Sequence, residues 1–467
     1  MFTNSLPTRS NARAGLWLGL LIPILLLQAG HYQFAFDVVS ATAFLITASR
    51  DIQTTCLHYF LIFLPFVIMY SLYATLCWRF LFAVGFIGSA TRSILVMYPG
   101  TFTFGEALLL VHLVLVFICS HVLFLIAFLF VFLLERYYSY RFARYMFTFL
   151  VFPIMVSVIL SHSFAISRIK FRYFFYCLNS IHFMLLLFWM CLFLICVLIV
   201  YIFGRYTAPL TSPSQAANIH EGQAMVSDLV TDPSEFELDL KASSIQNHIQ
   251  SKHHRAPFCI RKVFHFAAGL VFASGLLVSP QLLSVASTCL LAFFYLFEFI
   301  RRLGPPNLAT YCNDLVNPFR DDRDAGALVF TPIALLLGLS VPVWWPLYQN
   351  QNPTIDLAVP CRTWMPSPHA WCGVLSIALG DSVAALIGRG WGVVQWPGSH
   401  RTLLGSFASW ICQIILWLIL AQYHSWPWKP GLLPISLGVL TEAYTDQIDN
   451  LVIPLIVMAT FPLHMPK

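Results

Sequence analysis

Charge is what this sequence has least of. Only 10% of its 467 residues are Asp, Glu, Lys or Arg, while 59% are hydrophobic. Soluble domains carry about 25% charged residues, so a soluble globular class is excluded. The formal net charge of +6 is modest. It fits Lys and Arg flanking membrane helices better than nucleic-acid binding. The 12 cysteines include no CxxC pair, so neither a zinc site nor a disulfide framework is indicated. No ten-residue segment alternates apolar and polar residues, which excludes a membrane β-barrel. There is no GxxxxGK[ST] loop and no soluble-kinase signature set, so any nucleotide chemistry belongs to a site of another kind. No repeat of two related halves is visible, although secondary transporters often carry one.

Long hydrophobic runs are what the sequence does have. A membrane-spanning helix takes about 20 apolar residues. Candidate spans lie near 15–30, 34–48, 56–76, 79–98, 105–134, 144–163, 173–203, 263–279, 281–300, 326–347, 369–388, 404–424, 431–446 and 450–464. The expected fold is an all-α polytopic integral membrane protein of roughly 12–15 transmembrane helices. Arg9 and Arg13 precede the apolar run "GLWLGLLIPILLLQAG". With no small-x-small cleavage site after it, that run reads as a first transmembrane helix rather than a signal peptide.

One polar stretch divides the chain into three units: a hydrophobic bundle over 1–203, a loop over 204–261 and a charged membrane domain over 262–467. The loop is acidic first (Glu221 to Asp239), then basic and His-containing (Lys241 to Arg255), and reads as solvated and partly disordered. Lone polar residues in the first unit, such as Glu106 and His182, read as packing inside the bundle. Residues 261–467 hold nearly all the remaining charges of interest, so the functional half is expected there.

Topology narrows the choice. Arg301, Arg302, Arg320 and Arg323 precede the span at 326–347, and Arg389 and Arg401 follow the span at 369–388. By the positive-inside rule these two loops share the cytosolic face. The crossings then return Asp446 and Asp449 to the same face. Three patches are thereby expected to converge: "NPFRDDRDAG", "RGWGVVQWPGSHRTLLGS" and "EAYTDQIDN".

Each patch has chemistry to offer. Asp321, Asp322 and Asp324 could hold Mg²⁺, or Asp324 could cap a helix. Asp381 lies inside an apolar span, where an unpaired carboxylate is costly and marks a functional site by default. Gly380, Ala384 and Gly388 form a small-xxx-small face suited to close helix approach. Gly388, Gly390 and Gly392 would let backbone amides near phosphates, and Ser399, His400, Arg401 and Thr402 add hydroxyls and positive charge. Trp396 could stack on a base or sit at the membrane interface. Glu442, Asp446, Asp449 and Asn450 would share one face of a continuous helix, as a metal or proton site or as an interhelical clamp, for instance with Arg302. Glu298 is placed to pair with Arg301 or Arg302, and Lys262 and His265 share a helical face.

Taken together, "RKVFHF", "EFIRR", "FRDDRDAGALVFTPIALLLGLSVPVWW", "GVLSIALGDSVAALIG", "WPGSHRTLLGS" and "EAYTDQIDNLVIPL" resemble, in order and spacing, the dolichol kinases, a CTP-dependent polyprenol kinase family. The resemblance implies transfer of the CTP γ-phosphate to dolichol with Mg²⁺ or another divalent cation, in the endoplasmic reticulum membrane, with the site facing the cytosol. It places the CTP-binding loop on Arg389 to Leu404, with Gly388, Gly392, Trp396, Pro397, Gly398, Ser399, His400, Arg401, Thr402 and Gly405 as candidate contacts. It makes Asp381, Asp449 and Asp324 candidate metal ligands. Asp381, Asp449, Asp446 and Arg401 become candidate catalytic residues, with Asp449 or Asp446 accepting the dolichol proton. Where the family reads Thr-Lys-Lys-Thr-aromatic-Glu-Gly, this chain has Ser399, His400, Arg401, Thr402, Leu403, Leu404 and Gly405. The alternatives are a membrane cytidylyltransferase acting on a phospholipid and a cation-coupled transporter.

Overall fold

The computed structural model describes residues 15–28, 100–118, 180–207, 258–303, 305–316, 328–349 and 367–462, with positions 8, 9 and 13 and a few between 35 and 98. Among them every element is helical, apart from one bridge between Gln395 and Thr402. The helices are α1 (Leu16–Gln28), α2 (Phe104–Ile118), α3 (Ser180–Thr207), α4 (Phe258–Val278), α5 (Pro280–Leu303) and α6 (Pro306–Val316). They continue with α7 (Thr331–Gln349), α8 (Pro368–Trp391), α9 (Leu403–His424), α10 (Leu432–Tyr444) and α11 (Asp449–Thr460). Stretches Ile181–Ile199, Pro280–Arg302, Pro368–Trp391 and Leu403–His424 are long and apolar enough to cross a membrane. The protein is an all-α polytopic membrane protein. The spans expected at 56–76 and 144–163, and most of 34–48 and 79–98, lie outside the described residues.

Two boundaries differ from expectation. Helices α3 and α4 reach into the stretch assigned to the polar loop, to Thr207 and from Phe258. The segment at 301–325 was expected to be a loop, yet it contains α6. The buried Glu298 organises that region. Arg301 Nε donates to Glu298 Oε2 at 2.7 Å, and Arg301 Nη1 donates to Asn313 Oδ1 at 2.7 Å. Helices α5 and α6 are thus tied by one guanidinium fork. Arg302 instead lies 5.1 Å from the centre of the Tyr98 ring, a cation–π contact.

Burial sorts the helices. In α8, 67% of the apolar window is buried, against 11% in α3, whose Phe183, Met184 and Phe193 face outward. An outward apolar face is what lipid demands. Helix α8 packs on α4, α7, α9 and α11, and α11 is buried from Asn450 to Ala459. Close approach needs small residues. A Cβ on Gly338 would lie 1.9 Å from the Asn450 carbonyl oxygen, so α7 meets α11 backbone to backbone. A Cβ on Gly405 would lie 2.6 Å from the Ala384 carbonyl oxygen, confirming the small-residue face of α8 against α9.

Candidate active site

Helix α8 is not uniform. It opens as a 3₁₀ turn over Pro368–Trp371, widens into a π-helical stretch over Val374–Asp381, and resumes as α-helix from Ser382. Such π stretches are rare and are frequently found at functional sites. This one ends on Asp381, which is 4% exposed. Lys262 Nζ of α4 donates to Asp381 Oδ2, and His265 Nε2, one helical turn on, stands 3.8 Å from the same oxygen. The shared face of Lys262 and His265 thus meets the intramembrane carboxylate.

The loop after α8 is a small hairpin. Leu403 N–H donates to the Val394 carbonyl at 2.9 Å, and Trp396 N–H to the Arg401 carbonyl at 2.9 Å. Pro397 and Gly398 form its tip: Ser399 N–H closes the turn onto the Trp396 carbonyl at 3.1 Å, and Gly398 has φ of 72°. Proline followed by a positive-φ glycine is the signature of a type II turn. Thr402 caps α9 by accepting from Gly405 N–H at 3.2 Å. Cβ atoms on Gly388 and Gly392 would lie 2.6 and 2.5 Å from Thr402 Oγ1. These glycines serve close packing around Thr402, and the Gly392 and Gly405 amides are already bonded. Trp396 likewise has a structural use. Its indole N–H donates to Ser406 Oγ at 3.0 Å, and its ring meets Tyr444 edge-on at 5.6 Å. Ser399 and His400 lie at the tip, His400 exposed.

The hairpin delivers Arg401 to the third patch. Arg401 Nη2 donates to Asp449 Oδ2 at 2.8 Å, and its Nη1 lies 4.0 Å from Glu442 Oε1. Glu442 is 4% exposed, and that Oε1 has no hydrogen-bond partner. It lies in the field of Asp381, Arg401, Asp449 and Lys262, so both charged pairs belong to one site. A buried carboxyl oxygen without a donor is a place where a cation or a ligand group is missing its partner. Three hard oxygen donors, from Asp381, Glu442 and Asp449, suit a divalent cation shared with phosphate. Among the described residues, no three His, Cys, Asp or Glu side chains are gathered closely enough to hold a metal ion; Asp381 is paired with Lys262 and Asp449 with Arg401.

The expected continuous acidic helix is corrected. Helix α10 ends at Tyr444, Thr445 is extended (φ −81°, ψ 133°), and α11 begins afresh at Asp449. The break turns Asp446 outward: its side chain is 49% exposed and lies 3.6 Å from Arg13 rather than beside Arg401. Of the three patches, the second and third converge. The first, with Asp324, lies outside the described residues.

What sequence reading missed is the support beneath α11. Thr103 and Glu106 form a capping box at the start of α2: Glu106 N–H donates to Thr103 Oγ1 at 3.2 Å, and Thr103 N–H to Glu106 Oε2 at 2.9 Å. The "TFGE" quartet was the available signal.

The chain has clear relatives among characterised proteins. A dolichol kinase of Mus musculus is 37% identical over 214 residues, which is 44% of this chain and 38% of that protein. The dolichol kinase of Arabidopsis thaliana is 30% identical over 205 residues, covering 42% of this chain and 34% of that protein. That of Saccharomyces cerevisiae is 27% identical over 206 residues, covering 42% and 35%. This chain is related to the dolichol kinases. The chain thus matches little more than a third of the length of the mouse dolichol kinase. No family model and no solved structure matches it. Leu404, where the dolichol kinase loop pattern has Glu, is 43% exposed at the start of α9, so this departure sits on the outer surface.

Proposed function

We propose that the chain is a lipid kinase that transfers the γ-phosphate of CTP to the terminal hydroxyl of dolichol, giving dolichyl phosphate for protein glycosylation. The single observation that carries the reading is the joint site of Asp381, Glu442 and Asp449 with Lys262 and Arg401, set where membrane helices end. The kinship with dolichol kinases supports the acceptor, and the choice of CTP follows from the same resemblance. The unit over 262–467 is read as the catalytic domain. We read its placement at the cytosolic face of the endoplasmic reticulum membrane from the basic residues at the ends of α5 and α8, Arg301, Arg302 and Arg389, and from the resemblance.

Phosphoryl transfer asks for positioning and charge neutralisation more than covalent help. Arg401 reaches in from the solvent side, 33% exposed, and its planar fork suits phosphate oxygens. Lys262, mostly buried near the start of α4, supplies a second positive charge. Mg²⁺ or another divalent cation, expected from the same resemblance, would neutralise charge on the phosphate, yet Asp381 and Asp449 are taken up by Lys262 and Arg401 and are not gathered with Glu442 to hold it alone. Asp324, the remaining candidate ligand, lies outside the described residues. The dolichol oxygen bonds to the γ-phosphorus as that phosphorus separates from the bridging oxygen, and CDP leaves with the bonding electrons. The hydroxyl proton passes to a carboxylate. Asp446 faces away, so Asp449 and Glu442 are the candidates, and Glu442 Oε1, which accepts no hydrogen bond, is the better placed acceptor.

The test is to incubate membranes carrying the protein with dolichol, Mg²⁺ and γ-labelled CTP or ATP, beside Asp449→Asn. Label in dolichyl phosphate from CTP alone, lost in the variant, supports the reading. Pyrophosphate release with CMP kept on a lipid would instead make it a cytidylyltransferase. No labelled lipid from either nucleotide, with the protein present, would refute it.

A further inference from the structure

The residues that hold Asp449 in place come from the opposite end of the chain. Glu106 of α2 is 1% exposed. One of its oxygens, Oε2, is committed to the capping box. The other, Oε1, accepts from Ile448 N–H at 2.8 Å and from Arg9 Nη2 at 2.9 Å. Ile448 is the residue that precedes α11, so its amide sets where that helix begins and where Asp449 stands. Arg9 Nη2 also donates to the Asp446 carbonyl at 3.1 Å. Thr103, the other half of the box, donates through Oγ1 to Gln447 Oε1 at 2.7 Å, and Gln447 Nε2 donates to the Arg13 carbonyl at 2.9 Å. A Cβ on Gly15 would meet Gln447 Oε1 at 2.4 Å, so the backbone at Gly15 packs directly on this turn. Every residue of the turn from Asp446 to Ile448 is thus gripped by Arg9, Arg13, Thr103 or Glu106.

We infer that Glu106, with Arg9, is a positioning residue that fixes Asp449 against Arg401. A box that merely capped α2 would need no third partner. This one shares its carboxylate with a backbone amide 342 positions away, immediately before a carboxylate of the site. The Asp449 side chain is itself held by Arg401 on Oδ2 and by the Asn450 amide on Oδ1 at 3.0 Å. Those bonds do not fix the Ile448 amide. Glu106 does, from within the buried core, where a charged hydrogen bond is held most firmly. The N-terminal part of the chain is then a working component of the site rather than a lipid-facing scaffold.

The inference rests on the kinase reading, and a double-mutant cycle tests it without depending on that reading alone. Glu106→Ala, Glu106→Gln, Asp449→Asn and Glu106→Ala/Asp449→Asn are compared for dolichol phosphorylation and, as purified full-length protein in detergent, for amide hydrogen exchange. If Glu106 acts through Asp449, Glu106→Ala lowers kcat at least tenfold with the KM for CTP within about twofold, and Glu106→Gln restores part of it. The double variant is then no worse than Asp449→Asn. Losses that multiply, or a kcat unchanged in Glu106→Ala, overturn the inference. Should the wild-type protein phosphorylate no lipid, the kinase reading falls and exchange decides. Amides 446–450 exchanging at least tenfold faster in Glu106→Ala, with those of α9 unchanged, support the clamp. Unchanged amides at 446–450 overturn it, as does faster exchange throughout.

Discussion

Replacing Lys262 with Met isolates the buried charge at the centre of the site. The Lys262 and Asp381 side chains are 13% and 6% exposed, so water contributes little screening. Removing one partner of a buried ion pair costs about 3–5 kcal/mol, because the remaining charge is left without compensation. His265 Nε2 at 3.8 Å from Asp381 Oδ2 offers a substitute donor, which points to the lower end, about 3 kcal/mol. The companion variant, Lys262→Met/Asp381→Asn, has no orphaned charge. Replacing both members of a buried pair is often neutral. Thermal unfolding of wild type, single and double variants in the same detergent gives the comparison. The expected order places the double variant near wild type and the single variant clearly below both. Both variants lose at least about a hundredfold in lipid phosphorylation, the scale of removing one preorganised charge from a reacting phosphate. A double variant less stable than the single one would refute the claim that Asp381 depends on Lys262, as would a single variant as stable as wild type.

Two further outcomes follow from how the loop and the third patch are built. Trp396→Phe removes only the hydrogen bond to Ser406 and keeps an aromatic ring near Tyr444, a loss of about 1 kcal/mol, so the KM for CTP should stay within about twofold; a tenfold rise would mean that the indole touches the nucleotide. Asp446→Asn should leave kcat within about twofold, since that exposed side chain faces Arg13 and a surface pair contributes at most about 1 kcal/mol, and a loss matching Asp449→Asn would put Asp446 back in the site.

Much of this architecture could be read from the residues. The scarcity of charge demanded membrane helices, and positive-inside counting brought the Arg401 loop and Asp449 to one end before any coordinates. Asp381 stood out because an unpaired carboxylate cannot be left in an apolar span. Lys262 and His265 were visible as a shared helical face, but nothing in a one-dimensional pattern says which carboxylate a face will meet. The π stretch was hidden, since its composition differs little from that of an α-helix. The break at Thr445 was hidden for another reason. A helical projection of Glu442 to Asn450 looks regular, and the interactions that interrupt it come from Arg9 and Glu106, hundreds of positions away. Glu106 was rightly expected to be buried inside the bundle, while its long-range amide partner lay beyond local reasoning. The glycines of the loop divide: Gly388 and Gly392 pack against Thr402, while Gly390 and Gly398 have open space beside them.

The π stretch in α8 also makes chain length a chemical variable. A turn closed from i to i+5 takes up about one residue more than an α turn. Everything after Val374 is therefore rotated and set back relative to a regular helix. If the same residues were wound as ordinary α-helix with none deleted, Asp381 would swing away from Lys262, although no charged residue had been touched. In this helix a silent-looking apolar segment acts as a gear, and the spacing of its teeth decides which way the acid points.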